Sequence, residues 1–376
     1  MKLTIDRLRL LKVLNTVSIA IGQKSPTPAF LNFKMEMSND CLTVTGSNND
    51  LTIKSSLPLK DGDNDIIVSS LPGSTLIALK LLEIIRRLEG SWVTIEVIDN
   101  TAKISDEKSD FQLNSMPVED YPELDLEAFG ETITFKVEDF KKIVSQTAFA
   151  ASTKEVRPIL TSINVKAYDN QLEFTATDSY RLSKKLHYLE NEGDAKSFEV
   201  NIPVKTMVEV SKLLESGTVD MIVSSNKVVF KYNNTFIYSR LNNGDFPKAS
   251  RMIPDAYPFV LQVNADTFIN AMSRVSLLAI ERENIVKVTV DYDELIISSK
   301  SDQIGSAKEK ISSSSFRYAG DRFEISFNCN YVDEAIKAAQ SDEVILSFAG
   351  EMTAFRVTAP NDASIIQVIV PARSYY

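Results

Sequence analysis

A chain of 376 residues with 44% hydrophobic and 24% charged residues reads as a soluble globular protein with room for two or three domains. Two distant cysteines, Cys41 and Cys329, and a single histidine, His187, nearly exclude a disulfide framework, a zinc cage and a His-based triad, and fit a reducing cytoplasm. The net charge of -10 speaks against nucleic acid unless the charge is unevenly placed.

Met1-Lys2-Leu3-Thr4 runs straight into patterned sequence, so no signal peptide is expected, and no apolar run approaches the ~20 residues of a membrane span. Leu3–Ile5 predicts a short strand running into an amphipathic helix. Leu10, Leu14, Val17 and Ile21 form its apolar stripe, and Arg9, Lys12 and Asn15 face away. The loop Lys24-Ser-Pro-Thr-Pro28-Ala-Phe-Leu leads to alternating strands, among them Leu42–Thr45 and Leu51–Lys54. A second helix buries Ile77, Leu81, Ile84 and Leu88 and turns Lys80, Arg86 and Arg87 outward, before a strand at Trp92–Ile98. The plan is βαβββ, used twice.

It starts again at Thr134–Val137 and at Val260–Val263. The loop at Lys24 recurs as Lys154-Glu-Val-Arg-Pro158-Ile-Leu-Thr, about 130 residues later. Phe198-Glu-Val recurs as Phe323-Glu-Ile, and Asp120-Tyr-Pro as Asp245-Phe-Pro, each about 125 residues on. Three domains are therefore expected, 1–127, 128–252 and 253–376, each an α+β pair of βαβββ units. Val228–Tyr232 with Asn233-Asn234 predicts a hairpin. Lys205, Glu209 and Lys212 make one polar helix stripe, and Asp333, Lys337 and Gln340 another. Lys and Arg minus Asp and Glu gives +2 for 6–20 and for 74–88, +1 for 138–154 and for 203–214, and -1 for 265–283 and for 331–340. The helices carry a small positive excess and the rest of the chain a large negative one.

At the centre, Gln171–Thr177 predicts a strand, Asp178-Ser179 a turn, and Tyr180-Arg181-Leu182 a second strand. Ala176-Thr-Asp-Ser-Tyr-Arg-Leu-Ser183 closely resembles the Ala-Thr-Asp-Gly-His-Arg-Leu segment of the bacterial DNA polymerase III β subunits, the sliding clamps. The resemblance extends along the chain through Arg157-Pro-Ile-Leu160, Gly244-Asp-Phe-Pro247, Phe327-Asn328 and Pro371-Ala-Arg373. It implies a crescent of three like-folded domains, two of which join head to tail as a ring with helices lining the hole and sheets outside. A thin basic lining would attract duplex DNA without reading its sequence. It comprises Arg9, Lys12, Lys80, Arg86, Arg87, Lys142, Lys205 and Lys212 on the helices, with Lys24, Lys154 and Arg157 at family loop positions.

The resemblance further implies a peptide-binding pocket. Its first wall is Leu160, Thr177, Ser179, Tyr180, Arg181 and Leu182; the linker gives Pro247, Arg251 and Met252; the tail gives Val368, Val370, Pro371 and Arg373. A small apolar floor with arginines at the rim suits short Gln/Leu/Phe motifs, carried in the family by replicative polymerase, clamp loader and repair proteins. Dimer contacts carry over as Phe111 and Leu113 with Leu277 and Leu278. Ser179 and Tyr180 stand where the family often has Gly and His, Ala372 replaces a larger apolar residue, and the tail continues through Ser374-Tyr375-Tyr376. No cofactor or metal is expected. Two other readings compete: an enzyme using Asp178 as catalytic acid, although no phosphate loop or dinucleotide fingerprint supports it, and a protein scaffold that does not enclose DNA.

Overall fold

The computed structural model describes residues 1–60, 62, 66–69, 72–189, 197–248, 253–279 and 284–373. Their elements follow the βαβββ plan six times. The first copy is β1 (Lys2–Asp6), α1 (Arg7–Ser18), β2 (Asn32–Met37), β3 (Cys41–Ser47) and β4 (Leu51–Pro58). After a short β5 (Ile67–Val68), the second is β6 (Gly73–Ala78), α2 (Lys80–Arg87), β7 (Trp92–Ile98), β8 (Thr101–Ser105) and β9 (Asp110–Met116). The third is β10 (Glu131–Lys136), α3 (Val137–Thr147), β11 (Ser162–Tyr168), β12 (Gln171–Thr177) and β13 (Arg181–Tyr188). The fourth is β14 (Phe198–Pro203), α4 (Val204–Leu213), β15 (Thr218–Val223), β16 (Lys227–Tyr232) and β17 (Thr235–Arg240). The fifth is β18 (Phe259–Asn264), α5 (Ala265–Ser276), β19 (Ile285–Asp291), β20 (Glu294–Ser301) and β21 (Gly305–Ile311). A short β22 (Phe316–Ala319) precedes the sixth: β23 (Phe323–Asn328), α6 (Cys329–Ala339), β24 (Glu343–Phe348), β25 (Phe355–Ala359) and β26 (Asp362–Ile369).

Local chemistry explains why strand passes so abruptly into helix. Asp6 ends β1 and caps α1, its carboxylate accepting from the Arg9 backbone N–H at 2.8 Å. Asn264 caps α5 through the Thr267 N–H at 2.9 Å, and Asn328 caps α6 through the Asn330 N–H at 2.9 Å. The repeated Lys-to-Pro loops both end in a turn of 3-10 helix, Pro28–Leu31 and Pro158–Thr161, with proline supplying its first residue. Leu10, Val13, Leu14 and Val17 bury one side of α1. Gly46 on β3 lets that helix come close, because a Cβ there would meet Val17 Cγ1 at 2.8 Å.

Several boundaries differ from the sequence expectation. Ile77 is buried in strand β6 and precedes helix α2, because the apolar run Leu76-Ile77-Ala78 pairs with β2. Val137 opens α3 instead of closing a strand. Ile21 is buried beyond the end of α1. Residues 280–283 of the fifth charged segment lie outside the described residues.

The contacts divide the chain into two compact units, Met1–Glu138 with Val208–Leu241, and Asp139–Met207 with Asn242–Tyr376. The first unit is built on one sheet of 13 strands in the order β10-β15-β16-β17-β4-β3-β2-β6-β9-β8-β7-β1-β5. In it β17 pairs antiparallel with β4, from Thr235↔Ser55 to Ser239↔Leu51. The second unit has a sheet of 9 strands, β14-β11-β12-β13-β26-β25-β24-β18-β22, and one of 4, β21-β20-β19-β23. There β13 pairs antiparallel with β26, from Arg181↔Ile369 to Lys185↔Ile365. Each unit thus contains one sheet that joins strands from two successive thirds of the chain. A file of rings (Phe259, Phe323, Phe348, Phe355 and Phe327, successive centroids 4.4 to 5.3 Å apart) runs through the core of the second unit.

Candidate functional site

The central stretch forms the turn between β12 and β13, and its backbone is held by its own short side chains. Asp178 Oδ1 accepts from the N–H groups of Tyr180 at 2.9 Å and Arg181 at 3.0 Å. Thr177 Oγ1 accepts from the Ser179 N–H at 3.1 Å and donates to the Arg181 carbonyl at 2.6 Å. These bonds hold Ser179 at φ 81, in the left-handed region that favours glycine. Asp178 is therefore a turn organiser.

The tail is attached to the same turn. Val370 N–H donates to the Tyr180 carbonyl at 2.9 Å and Ala372 N–H to the Ser326 carbonyl at 2.8 Å. Leu182 faces Val368 in the register, and both are buried, as are Leu160 and Thr177. Tyr180 is 62% exposed, and Ser179, Pro247 and Arg373 are exposed, while Val370 and Pro371 are half-buried. Arg251, Met252 and Ser374–Tyr376 lie outside the described residues.

Arg181 departs from a free rim arginine. Its side chain is only 11% exposed. Nε donates to Asp178 Oδ2 at 3.1 Å and Nη1 to the Glu334 carboxylate of α6. The guanidinium lies 4.6 Å from the Tyr331 ring centroid and 5.4 Å from that of Phe149. Little of it is left for a ligand; it ties the turn to α6. Burial, reinforced by the charge of Asp178, raises the Tyr331 phenol above its ordinary pKa.

A second charged cluster, unforeseen in the sequence, lies where α3, β13 and β26 meet. Asp362 Oδ2 accepts from Lys185 at 3.0 Å and Lys142 at 3.2 Å, and Oδ1 accepts from the Ser364 hydroxyl. Burial alone would raise the Asp362 carboxyl, but the bonds from Ser364, Lys185 and Lys142 win and hold it well below the usual carboxylate range. Burial lowers Lys185, partly offset by Asp362. A cleft of about 980 Å³ in the same unit is lined by Lys166, Glu173, Lys184, Glu199 and Pro247 among others. It is polar and its charges pair with one another, Lys184 with Glu173 at 2.8 Å and Lys166 with Glu199 at 3.8 Å. Of the expected pocket residues that are described, it includes Pro247 alone.

Among the expected DNA-facing residues, Lys24, Lys80, Lys154, Arg157 and Lys205 are exposed. Others are paired at the surface: Lys12 with Glu215 at 2.8 Å, Lys212 with Glu209 at 2.7 Å, and Arg86 and Arg87 with Glu83 at 3.6 and 3.7 Å. Lys142 is held by Asp362. Arg9 does not face away as expected: it is half-buried, and Nη2 donates to the Pro58 carbonyl at 3.4 Å. Phe111 on β9 is 40% exposed with Leu113 half-buried beside it, and Leu277, just past α5, is 78% exposed with Leu278 half-buried. Among the described residues no group of three or more His, Cys, Asp or Glu side chains could hold a metal, and no helix is long and apolar enough to cross a membrane.

Six βαβββ copies, with sheets continuous from one third of the chain to the next, define a protein of the DNA-clamp fold. Family models for the N-terminal, central and C-terminal domains of the DNA polymerase III beta subunit match residues 1–125, 134–248 and 250–373. The chain belongs to that family, the sliding clamps that serve as accessory subunits of DNA polymerase III. It is 35% identical over 381 residues to the beta sliding clamp of Bacillus subtilis (strain 168), and 32% identical over 380 residues to that of Staphylococcus epidermidis (strain ATCC 12228), with 100% of both chains covered each time. The crystal structure of the Bacillus subtilis clamp superposes with a TM-score of 0.94 at 34% identity, covering 100% of each chain. A DNA polymerase III beta chain from Streptococcus pneumoniae TIGR4 gives 0.93 at 28% identity, covering 99% of this chain and 100% of that one.

Proposed function

We propose that two copies of this sliding clamp close head to tail into a ring around duplex DNA, and that each copy docks short Gln/Leu/Phe peptides of polymerase, clamp loader and repair proteins beside Tyr180 and the Val370–Arg373 tail. The observation that most supports ring closure is a pair of uncovered strand edges. Within the chain, β4 receives β17 and β13 receives β26. By position in the repeat, the next such pair is β21 with β9. β21 ends its four-stranded sheet. Residues 110–114 of β9 pair with β8 on one side, while β6 reaches only Ser115 and Met116. Two edges uncovered among the described residues, one bearing the exposed Phe111, are a template for pairing with a second chain.

In this reading the three repeats, 1–127, 128–252 and 253–376, are the domains, a division supported by the three matched segments. Exposed lysines and arginines on helices and loops give a weak, sequence-blind attraction for phosphate, softened by the pairings with Glu83, Glu209 and Glu215. The protein catalyses no reaction of its own and works in the cytoplasm. The test is retention on DNA: ring placed by its loader on nicked circles should survive moderate salt and be lost when the circle is cut. Equal loss from circles and linear molecules would leave simple electrostatic binding.

A further inference from the structure

The framework of the central turn occurs twice. In the first unit, the turn between β3 and β4 repeats it bond for bond. Asn48 Oδ1 accepts from the N–H groups of Asp50 at 3.1 Å and Leu51 at 2.9 Å, as Asp178 does from Tyr180 and Arg181. Ser47 Oγ accepts from the Asn49 N–H at 3.1 Å and donates to the Leu51 carbonyl at 3.4 Å, as Thr177 does with Ser179 and Arg181. Asn49 has φ 79 where Ser179 has 81. Arg240 N–H donates to the Asp50 carbonyl at 2.9 Å, and Val370 N–H to the Tyr180 carbonyl at the same distance. Thr52 faces Tyr238 as Leu182 faces Val368.

The side chains on this common backbone differ in kind. Leu182, Val368 and Val370 are replaced by Thr52, Tyr238 and Arg240. The first-unit site holds a cavity of about 290 Å³, and its rim is charged. Lys227 pairs with Asp125 at 2.6 Å, and Arg240 lies 3.8 Å from Asp50. Burial, with the Asp125 charge, raises the Tyr238 phenol, as expected for a ring sunk into the floor of a polar site. A leucine or phenylalanine entering there would cover charged and hydroxyl groups without satisfying them, which opposes the gain from apolar burial.

We infer that the chain carries two copies of one peptide-docking framework, of which only that at β13–β26 accepts an apolar peptide, and that Thr52, Tyr238 and Arg240 close the copy at β4–β17. The inference rests on the proposed pocket beside Tyr180, and the experiment separates the two. A Gln-Leu-x-Leu-Phe pentapeptide is titrated calorimetrically into the full-length protein, with folding of each variant checked by circular dichroism and thermal unfolding. Wild type should bind one peptide per chain, and T52L/Y238V/R240V two. V370R, which transfers the first-unit side chain to the second unit, should weaken binding at least about tenfold. No binding to wild type would remove the pocket reading itself. Two peptides on wild type, one on the folded triple variant, or full affinity in V370R would each overturn the inference. V370R decides the matter if the triple variant does not fold.

Discussion

Replacing Asp362 by Asn tests what holds β26 to β13. In the wild type, Lys185 is 7% exposed and Asp362 21% exposed, and the carboxylate also answers Lys142. The substitution removes the negative charge and leaves the Lys185 ammonium buried beside a neutral amide. Breaking a fully buried ion pair costs ~3–5 kcal/mol. Asp362 keeps some solvent, and Asn can still accept one bond, so a loss of ~2 kcal/mol is expected, or roughly 4–8 °C in the unfolding midpoint of a unit this size. The pH dependence has a definite sign. The folded-state pKa of Asp362 is depressed, so its contribution is complete above the ordinary carboxylate pKa of about 4 and is lost as pH falls below it. The gap between wild type and D362N should therefore narrow from pH 7 to pH 3. Adding K185M to D362N should recover stability by removing the stranded charge. Hydrogen exchange of β13 and β26 amides locates the effect in the second unit, where a global unfolding curve need not be two-state. A D362N protein within about 0.5 kcal/mol of wild type at pH 7, or a gap unchanged at pH 3, would refute the reasoning.

The other predictions are simpler. Leu277→Asp with Leu278→Asp should give monomer by light scattering at low micromolar concentration, and a surviving dimer would move the interface elsewhere. Truncation after Ile369 should abolish pentapeptide binding in calorimetry while leaving the oligomeric state unchanged, because it removes Val370 to Arg373 and no proposed dimer residue. Ser179→Val should destabilise by about 1–2 kcal/mol in chemical denaturation, since a β-branched residue resists φ 81, whereas Ser179→Gly should cost nothing measurable. Equal effects of the two would mean that the turn relaxes out of the left-handed region.

Much of the fold is legible in the sequence because its cues are local. The steps into α1, α5 and α6 carry their capping residues at the junction, and the repeated Lys-to-Pro loops form equivalent 3-10 turns. The sequence pattern places Ile77 in a helix, because an apolar run before an amphipathic segment has no period of its own; pairing with β2 decides its state. The site is legible only as far as its turn. Thr177, Asp178 and Ser179 organise themselves over a few residues, but the partners of Arg181 other than Asp178 come from α6 and from Phe149, and Lys185 meets Asp362 across 177 positions. Such pairings have no local signature. Nor does periodicity distinguish a solvated Arg9 from one that bends back to the Pro58 carbonyl.

The order in which strands are made gives the β13–β26 join a further consequence. β13 leaves the ribosome about 180 residues before β26 can cover its edge, a wait of roughly 10–40 s at ordinary rates of synthesis. For that interval it is an open edge in a crowded cell, the situation in which nascent chains aggregate. Lys184 and Lys185 sit side by side on it, and charges on an exposed edge discourage a stray strand from adding. Once β26 arrives, that protection becomes a liability, because the docked strand buries Lys185. The same late strand brings the remedy at its first residue, Asp362. The ion pair thus reads as a handover, in which a lysine that guards the unfinished protein is neutralised by the segment that finishes it.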